Sequence, residues 1–460
     1  MSRPFDQTLS FRGDVTALVA ALAPWGPYVL LDDSTGAQRC GYLAVLPDAS
    51  LQWSRGSGRL KVEGRADQAF AGDPLPAARE LLGPQREAPP GAPRFVGGLC
   101  GHWGYDLRCA FDDLPDERPA DSTLPDLRLW RFPLIIAHDS EALPHALRLF
   151  ALEDTAPVRE RASRIEAALG EVGACSHRGA TRVGTRPAVS NLPRADYLTK
   201  VGQIREAIRD GEVYQVNLTQ RFLLRCEDEP LSVFERLRQL HPAAYAALLV
   251  GEGASVLSFS PELFFDVEDA WVTTRPIKGT AARAEDPALD RRRRTALLAS
   301  EKDRAELAMI VDLMRNDLSR VCEAATVRCR EHAVLETMPT VHHLVSTIEG
   351  RLAPGQDVFD LLRAAFPGGS ITGAPRRRAM EFIESLETLR RGVYTGSIGF
   401  LGFDGRACLN IAIRTLVLED GYARIHGGGG IVIDSDPEAE WAESVVKVKG
   451  LLDGLGGVIA

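Results

Sequence analysis

Thr273-Thr274-Arg275-Pro276-Ile277-Lys278-Gly279-Thr280 begins as a strand, because Trp271, Val272, Thr273 and Thr274 are aromatic or β-branched. Pro276 fixes φ and removes a backbone donor, so the strand ends there or runs on as an edge. Gly279 lets the backbone turn close to a ligand. A lysine between that proline and that glycine projects from a rigid element rather than a mobile tail. The rest of the chain is read for what such a lysine would act on.

The chain has 460 residues, enough for two ordinary domains or one large layered one. Its 45% hydrophobic and 25% charged residues predict a soluble globular protein. A net charge of -9 argues against a nucleic-acid binder, which usually shows a basic face. Arg291-Arg292-Arg293-Arg294 reads as a solvated helix face. The eight cysteines are scattered without a Cys-x-x-Cys pair, which suits a reducing cytoplasm better than a disulfide framework or a zinc site. No apolar leader segment opens the sequence, and no uncharged run is long enough to span a bilayer.

Residues 5–155 read as mostly β. Tyr28-Val29-Leu30-Leu31 is a buried strand stopped by a turn at Asp32 to Gly36. Phe95 to Gly101 is a glycine-rich strand without a dinucleotide fingerprint, so its glycines predict close strand packing. Leu129–Ala137 and Leu147–Leu152 look like hairpin-forming strands. A helix at about 157–170 precedes Gly173 to Asn191, read as a surface connection and the best boundary in the chain. Beyond it come an amphipathic helix from Arg194 to Asp210 capped by Gly211, a strand at 214–222, a helix at 231–240, and strands at 245–250 and 255–259. The division is thus 1–185, mostly β, and 190–460.

Two acidic helices stand out. Asp303 and Glu306 lie three apart and share a helix face, and Glu440 and Glu443 repeat that spacing after Pro437. Facing each other, they would make an oxygen-rich site for Mg²⁺ shared with an anionic substrate. Each pair alone is better explained by the helix dipole, and Lys447 could simply pair with Glu443. Phe366 to Pro375, ahead of a helix beginning near Arg376, and His426 to Ile431 are candidate anion nests or plain turns. With Arg414 and Lys447 they suggest a substrate bearing more than one carboxylate. His342-His343 precedes a strand, where a histidine is more often structural than catalytic.

Pro276-Ile277-Lys278-Gly279-Thr280, Asp303-Arg304-Ala305-Glu306, Ile310 to Asp317, His343-Leu344-Val345-Ser346, Gly369 to Pro375 and Gly428-Gly429-Gly430-Ile431-Val432 follow one another in an order that resembles the chorismate-utilising enzymes. The resemblance is dense from about 194 to 450 and is strongest to the aminodeoxychorismate synthase branch. Anthranilate synthases typically carry alanine at the position of Lys278, and isochorismate and salicylate synthases a water-activating lysine at the position of Gln215. Arg376 departs from the lysine usual after Gly-Ala-Pro, which alters donor geometry.

The resemblance implies a large two-sheet α/β sandwich, its N- and C-terminal parts interleaved and flanked by helices. It implies Lys278 as nucleophile and Glu262 as general acid. Mg²⁺ would be held by Glu306 and Glu443 with Asp303 and Glu440 nearby. Gln215, His343, Thr372, Tyr394, Arg414, Gly428, Gly429, Gly430 and Lys447 would hold chorismate. Burial and the adjacent Arg275 would lower the Lys278 pKa, which matters because a lysine at about 10.4 is neutral in roughly one molecule in two thousand at pH 7. No Gly-x-Cys-x-Gly turn of a glutaminase is present, so ammonia would come from a separate glutamine amidotransferase subunit. Ser34, Pro242 and Tyr245 resemble the walls of a tryptophan pocket that is regulatory in some relatives and structural in others.

Overall fold

The computed structural model describes residues 3–11, 13–35, 40–139, 145–171, 184–338 and 341–460. Among these, two sheets carry the architecture. The first has 13 strands, and its order from one edge is Phe5–Phe11, His145–Ala151, Ile135–Asp139, Cys40–Val45, Tyr28–Asp32, Tyr245–Val250, Ala254–Ser260, Thr415–Glu419, Tyr422–Ile431, Gln215–Arg225, Arg186–Ser190 and Gly457–Ile459. Gly373–Ala374 pairs beside Gln215–Arg225. The second has 12, ordered Ile277–Ala282, Val341–Arg351, Trp271–Arg275, Leu263–Glu268, Ala407–Asn410, Ser397–Gly402, Gly98–Trp103, Leu127–Phe132, Ala49–Ser54, Ser57–Val62 and Gln68–Ala71. Arg328–Thr337 pairs off Val341–Arg351. Both sheets draw strands from the beginning and the end of the chain.

The first sheet is buried on both faces, which is why Tyr28-Val29-Leu30 reads as a continuous apolar run rather than an alternation. Val29, Ala44, Ala247 and Leu249 join the core between the sheets with Leu99, Phe265 and Phe400. Tyr28, Leu30, Leu43 and Leu248 face the other way, onto a second core closed by the helices Val15–Leu22, Ala156–Glu171, Pro230–Leu240 and Pro437–Gly454. Side chains alternate across a strand, so neighbours along one strand serve two cores.

The close-packing reading of the glycine-rich strand agrees with the structure: a Cβ on Gly101 would lie 2.0 Å from the Arg128 carbonyl oxygen. Two expectations are corrected. Leu129–Ala137 is two strands divided at Pro133, Leu127–Phe132 in the second sheet and Ile135–Asp139 in the first, and only the latter pairs with His145–Ala151. Arg186–Ser190, placed in a surface connection, is a strand between Gln215–Arg225 and Gly457–Ile459. Its partners are distant in sequence, so local composition could not reveal it. Residues 172–183 of that connection lie outside the described residues. Among the described residues, no helix is long and apolar enough to cross a membrane.

Candidate active site

The chain crosses between the sheets twice within one small region, and each crossing carries a charged side chain. Ser260-Pro261-Glu262 leads from Ala254–Ser260 in the first sheet to Leu263–Glu268 in the second, and residues 411–414 lead back from Ala407–Asn410 to Thr415–Glu419. The two are tied together. Ser260 Oγ donates to the Ile411 carbonyl (2.6 Å) and accepts from Glu262 N–H (3.2 Å), while Ile411 N–H donates to the Glu262 carbonyl (3.0 Å). Glu262 is 5% exposed. Burial pushes its carboxyl up to about 7, against a Ser370 hydrogen bond and the charges of Lys278 and Lys447. Arg414 sits at φ 49, and burial alone lowers its pKa; no carboxylate among the described residues faces it.

Lys278 lies on the edge strand Ile277–Ala282. Pro276 ends the preceding strand at Arg275, as its fixed φ predicts. The pairing with Val341–Arg351 slips between Lys278 and Thr280, leaving Gly279 as a bulge at φ 75. A Cβ there would stand 3.0 Å from Asp303 Cβ, so the glycine also lets the helix Glu301–Ser319 press against the bulge. Burial, and secondarily Lys447, lower the Lys278 pKa, while Glu306, Glu262 and Glu443 oppose them. Arg275 was expected to share this task but instead pairs with Glu336. His343 lies opposite Thr280, whose Oγ1 is 2.9 Å from its Nδ1. Burial and the Arg414 charge hold its imidazole down to about 4, so it is neutral near pH 7.

The acidic helices form the opposing walls. Ser300 caps Glu301–Ser319 by accepting from Asp303 N–H (3.2 Å), and Asp436 caps Pro437–Gly454 by accepting from Ala439 N–H (2.9 Å). Glu306 and Glu443, on different helices, each feel Lys278. Burial raises the Glu306 pKa, and Asp303 and Glu443 add to it; Lys302 lies 3.8 Å away. Burial also raises the Glu440 pKa against a 2.6 Å hydrogen bond from Ser435. Lys447 pairs with Glu443 at 2.6 Å and donates to the Gly428 carbonyl at 2.9 Å. Among the described residues no three His, Cys, Asp or Glu side chains are gathered closely enough to hold a metal by themselves.

The glycine run 427–430 is not a nest. Gly428, Gly429 and Gly430 lie within the strand Tyr422–Ile431, opposite Thr219, Leu218 and Asn217. What they contribute is missing bulk. Cβ atoms would lie 2.5 Å from the Ser444 carbonyl oxygen at Gly427, 3.2 Å from Glu440 Oε2 and 3.5 Å from Glu443 Oε1 at Gly429, and 2.5 Å from Gln215 Nε2 at Gly430. Gln215 is fully buried, and among the described residues neither its Oε1 nor its Nε2 finds a hydrogen-bond partner. Thr372 closes the short turn Gly369–Ile371, its Oγ1 donating to the Gly368 carbonyl (3.0 Å). Tyr394 stacks on His426 at 4.9 Å. The structure thus brings Glu262, Lys278, Glu306, Glu443 and Lys447 into one electrostatic neighbourhood.

Other expected residues fall elsewhere. Arg376 serves the fold: it donates to Asp317 (3.0 Å) and to the carbonyls of Ala364 and Ala365 (2.7 and 2.8 Å) at the end of Val358–Ala365. Tyr245 lines a separate cavity of about 50 Å³ between the sheets with Asp32, Asp33, Cys408 and Asn410. Ser34 and Pro242, expected beside Tyr245, are not in the cavity's lining; Ser34 is instead bonded to Ala243 (2.8 and 3.1 Å). Sequence reading missed Ser370 and Ser435, which hold the carboxyls of Glu262 and Glu440. Neither carries a local signal, since hydroxyls in turns are common and only the fold aims them.

Sheet-edge lysine, raised-pKa carboxyl, unpaired arginine and facing acidic helices together describe an enzyme cleft for a carboxylated substrate. A sequence profile of the chorismate binding enzyme family matches residues 27–453, and the chain belongs to that family. Aminodeoxychorismate synthase component 1 of Salmonella typhimurium is 42% identical over 394 residues, 83% of this chain and 82% of that one. Anthranilate synthase component 1 of Streptomyces coelicolor is 38% identical over 453 residues, 92% and 87% of the two chains. The crystal structure of anthranilate synthase component I from Streptococcus pneumoniae superposes with a TM-score of 0.78 at 30% identity, covering 90% of this chain and 92% of that chain.

Proposed function

We propose that this chain is the synthase subunit of an aminodeoxychorismate synthase. It converts chorismate and ammonia to 4-amino-4-deoxychorismate, on the p-aminobenzoate branch of folate biosynthesis. A partner glutamine amidotransferase supplies the ammonia. The two named relatives differ little in identity, so overall similarity does not choose between them. The observation that carries the reading is local: an amine biased toward neutrality, Lys278, beside a carboxyl biased toward protonation, Glu262. Gln215, which cannot act as a water-activating base, accompanies them.

In the first step neutral Lys278 Nζ bonds to ring C2, the two ring double bonds shift, and the C4–O bond breaks. Glu262 gives its proton to the departing hydroxyl, which leaves as water. Ammonia then bonds to C4, the double bonds shift back, and the C2–N bond breaks to release Lys278. Glu262 takes a proton from the incoming nitrogen and is reset. Arg414, Thr372, Tyr394 and Lys447 hold the carboxylates, and neutral His343 and the Gln215 amide orient the ring. The hard oxygens of Glu306 and Glu443, with Asp303 and Glu440 behind them, suit Mg²⁺ shared with the substrate. Bound there, it would neutralise the ring carboxylate. Calorimetry with tryptophan tests whether the cavity beside Tyr245 takes that ligand.

Product identification by mass spectrometry with chorismate, ammonium and Mg²⁺ tests the reading. Aminodeoxychorismate is expected; anthranilate or isochorismate as the main product overturns it. Glutamine should serve as nitrogen donor only after the glutaminase subunit is added.

A further inference from the structure

Behind the cleft lies an ionic cluster that the chemistry above does not use. Arg391 is fully buried over the ring of Tyr105, 4.6 Å from its centroid, and all its donors are engaged. Nε and Nη2 donate to Glu387 (2.9 and 2.7 Å), and Nη2 also to the Asn217 carbonyl (2.9 Å). Nη1 donates to the Ile371 carbonyl (2.9 Å) and to Thr395 Oγ1 (3.2 Å). Each partner adjoins a substrate-holding residue. Asn217 lies two residues past Gln215 and opposite Gly430. Ile371 precedes Thr372, whose carbonyl accepts from Asn217 N–H (2.9 Å). Thr395 follows Tyr394 and donates to its carbonyl (2.6 Å). Glu387 extends the grip by accepting from Thr219 N–H (3.0 Å) and Oγ1 (2.7 Å), opposite Gly428.

We propose that Arg391, held by Glu387, is a positioning residue for the amination reaction. One guanidinium sets strand Gln215–Arg225, the Gly369–Thr372 turn and the Tyr394–Thr395 turn at fixed distances from one another. The proposal rests on the chorismate reading above. Neutralising Glu387 would need only a cation, and a lysine would serve. Joining two carbonyls, a hydroxyl and a carboxylate in one plane needs the five-donor fork of arginine. A fork spanning three substrate-holding segments therefore has leverage over how tightly the cleft grips chorismate without touching it.

Arg391→Lys keeps the charge beside Glu387 and loses the fork. It should raise KM for chorismate about tenfold while kcat stays within about threefold, the pattern of lost substrate binding. Combined with Thr372→Ala, the penalty should be well below the product of the two, because both act on one segment. An unchanged KM in the folded variant, or penalties that multiply independently, overturns the proposal. If Arg391→Lys does not fold, Thr395→Ala removes one tether alone, and a KM rise of about threefold supports the proposal while none overturns it. Failure of wild type to form aminodeoxychorismate would sink the functional reading. Unaltered KM in variants of an active wild type would sink this one alone.

Discussion

The cleft and the Arg391–Glu387 cluster are both ionic and meet on the strand Gln215–Arg225, the cluster buried and the cleft open at Glu443 and Lys447. Their charges are handled in opposite ways. Around Arg391, every charge has an opposite partner within hydrogen-bonding reach, and Arg118 joins Glu387 (3.2 Å) to Asp106 (3.4 Å). In the cleft, no carboxylate among the described residues faces Arg414, the Gln215 amide bonds to none of them, and Lys278 and Glu262 are both pushed toward their neutral forms. Leaving buried polar groups unsatisfied costs stability, whereas a completed network holds geometry. The difference separates groups that hold the fold from groups kept ready for a ligand.

The contrast is broken most directly at Lys278. Lys278→Ala should lower aminodeoxychorismate formation by roughly 10³–10⁴-fold, with the thermal midpoint unchanged or raised, because a desolvated amine is removed. Intact-mass measurement of wild type with chorismate and Mg²⁺, without ammonia, should show an adduct on Lys278 that the variant lacks. Near-normal product from the variant would refute the covalent step. Glu387→Ala should do the reverse, destabilising by about 3–5 kcal/mol in denaturant unfolding, since it strands Arg391 as an uncompensated charge. A loss under about 1 kcal/mol would place the cluster with loosely held surface pairs instead.

Glu262→Gln comes next in size. The acid donates only while protonated, so with a folded pKa of about 7 activity should fall as pH rises through that value. The variant should lose about 10²-fold in kcat and with it the alkaline limb. A limb that persists belongs to another group. Glu443→Gln should raise the Mg²⁺ concentration needed for half-maximal activity by about tenfold or more. An unaltered requirement removes Glu443 from the proposed metal ligands and leaves only its pairing with Lys447.

What was legible in the sequence follows this same division. Lys278 stood out locally because Pro276 and Gly279 frame it, whereas Asp303 and Glu306 read locally as a helix-dipole device and took a role only from the family resemblance. Glu387 and Arg391 did not stand out, because their partners at 217, 219, 371 and 395 are gathered only by the sheets. Strand Arg186–Ser190 was lost for the same reason, its neighbours being the two distant strands that flank it. The glycine run 427–430 misled because glycine signals two things, a permissive backbone and absent bulk. Only the ladder with residues 217–219 shows that the second applies. Arg275 misled because proximity in sequence was taken for proximity in space, and a strand turns alternate side chains to opposite faces.

Gln215 gives the smallest and most discriminating test. Its amide is buried against Gly430, with both polar atoms unbonded among the described residues, so the folded chain bears a desolvation cost that a bound ring could offset. Methionine has nearly the same length and no hydrogen-bonding demand. Gln215→Met should therefore stabilise the chain by about 1 kcal/mol in urea unfolding, the lower end of the cost of an unsatisfied buried amide. The same variant should raise KM for chorismate, because the amide it removes is one the substrate would satisfy. Gain in stability with loss of affinity is the signature of a group held ready for a ligand. If Gln215→Met instead destabilises the chain, the amide is bonded in solution, and Gln215 belongs with Arg391 among the groups that hold the fold.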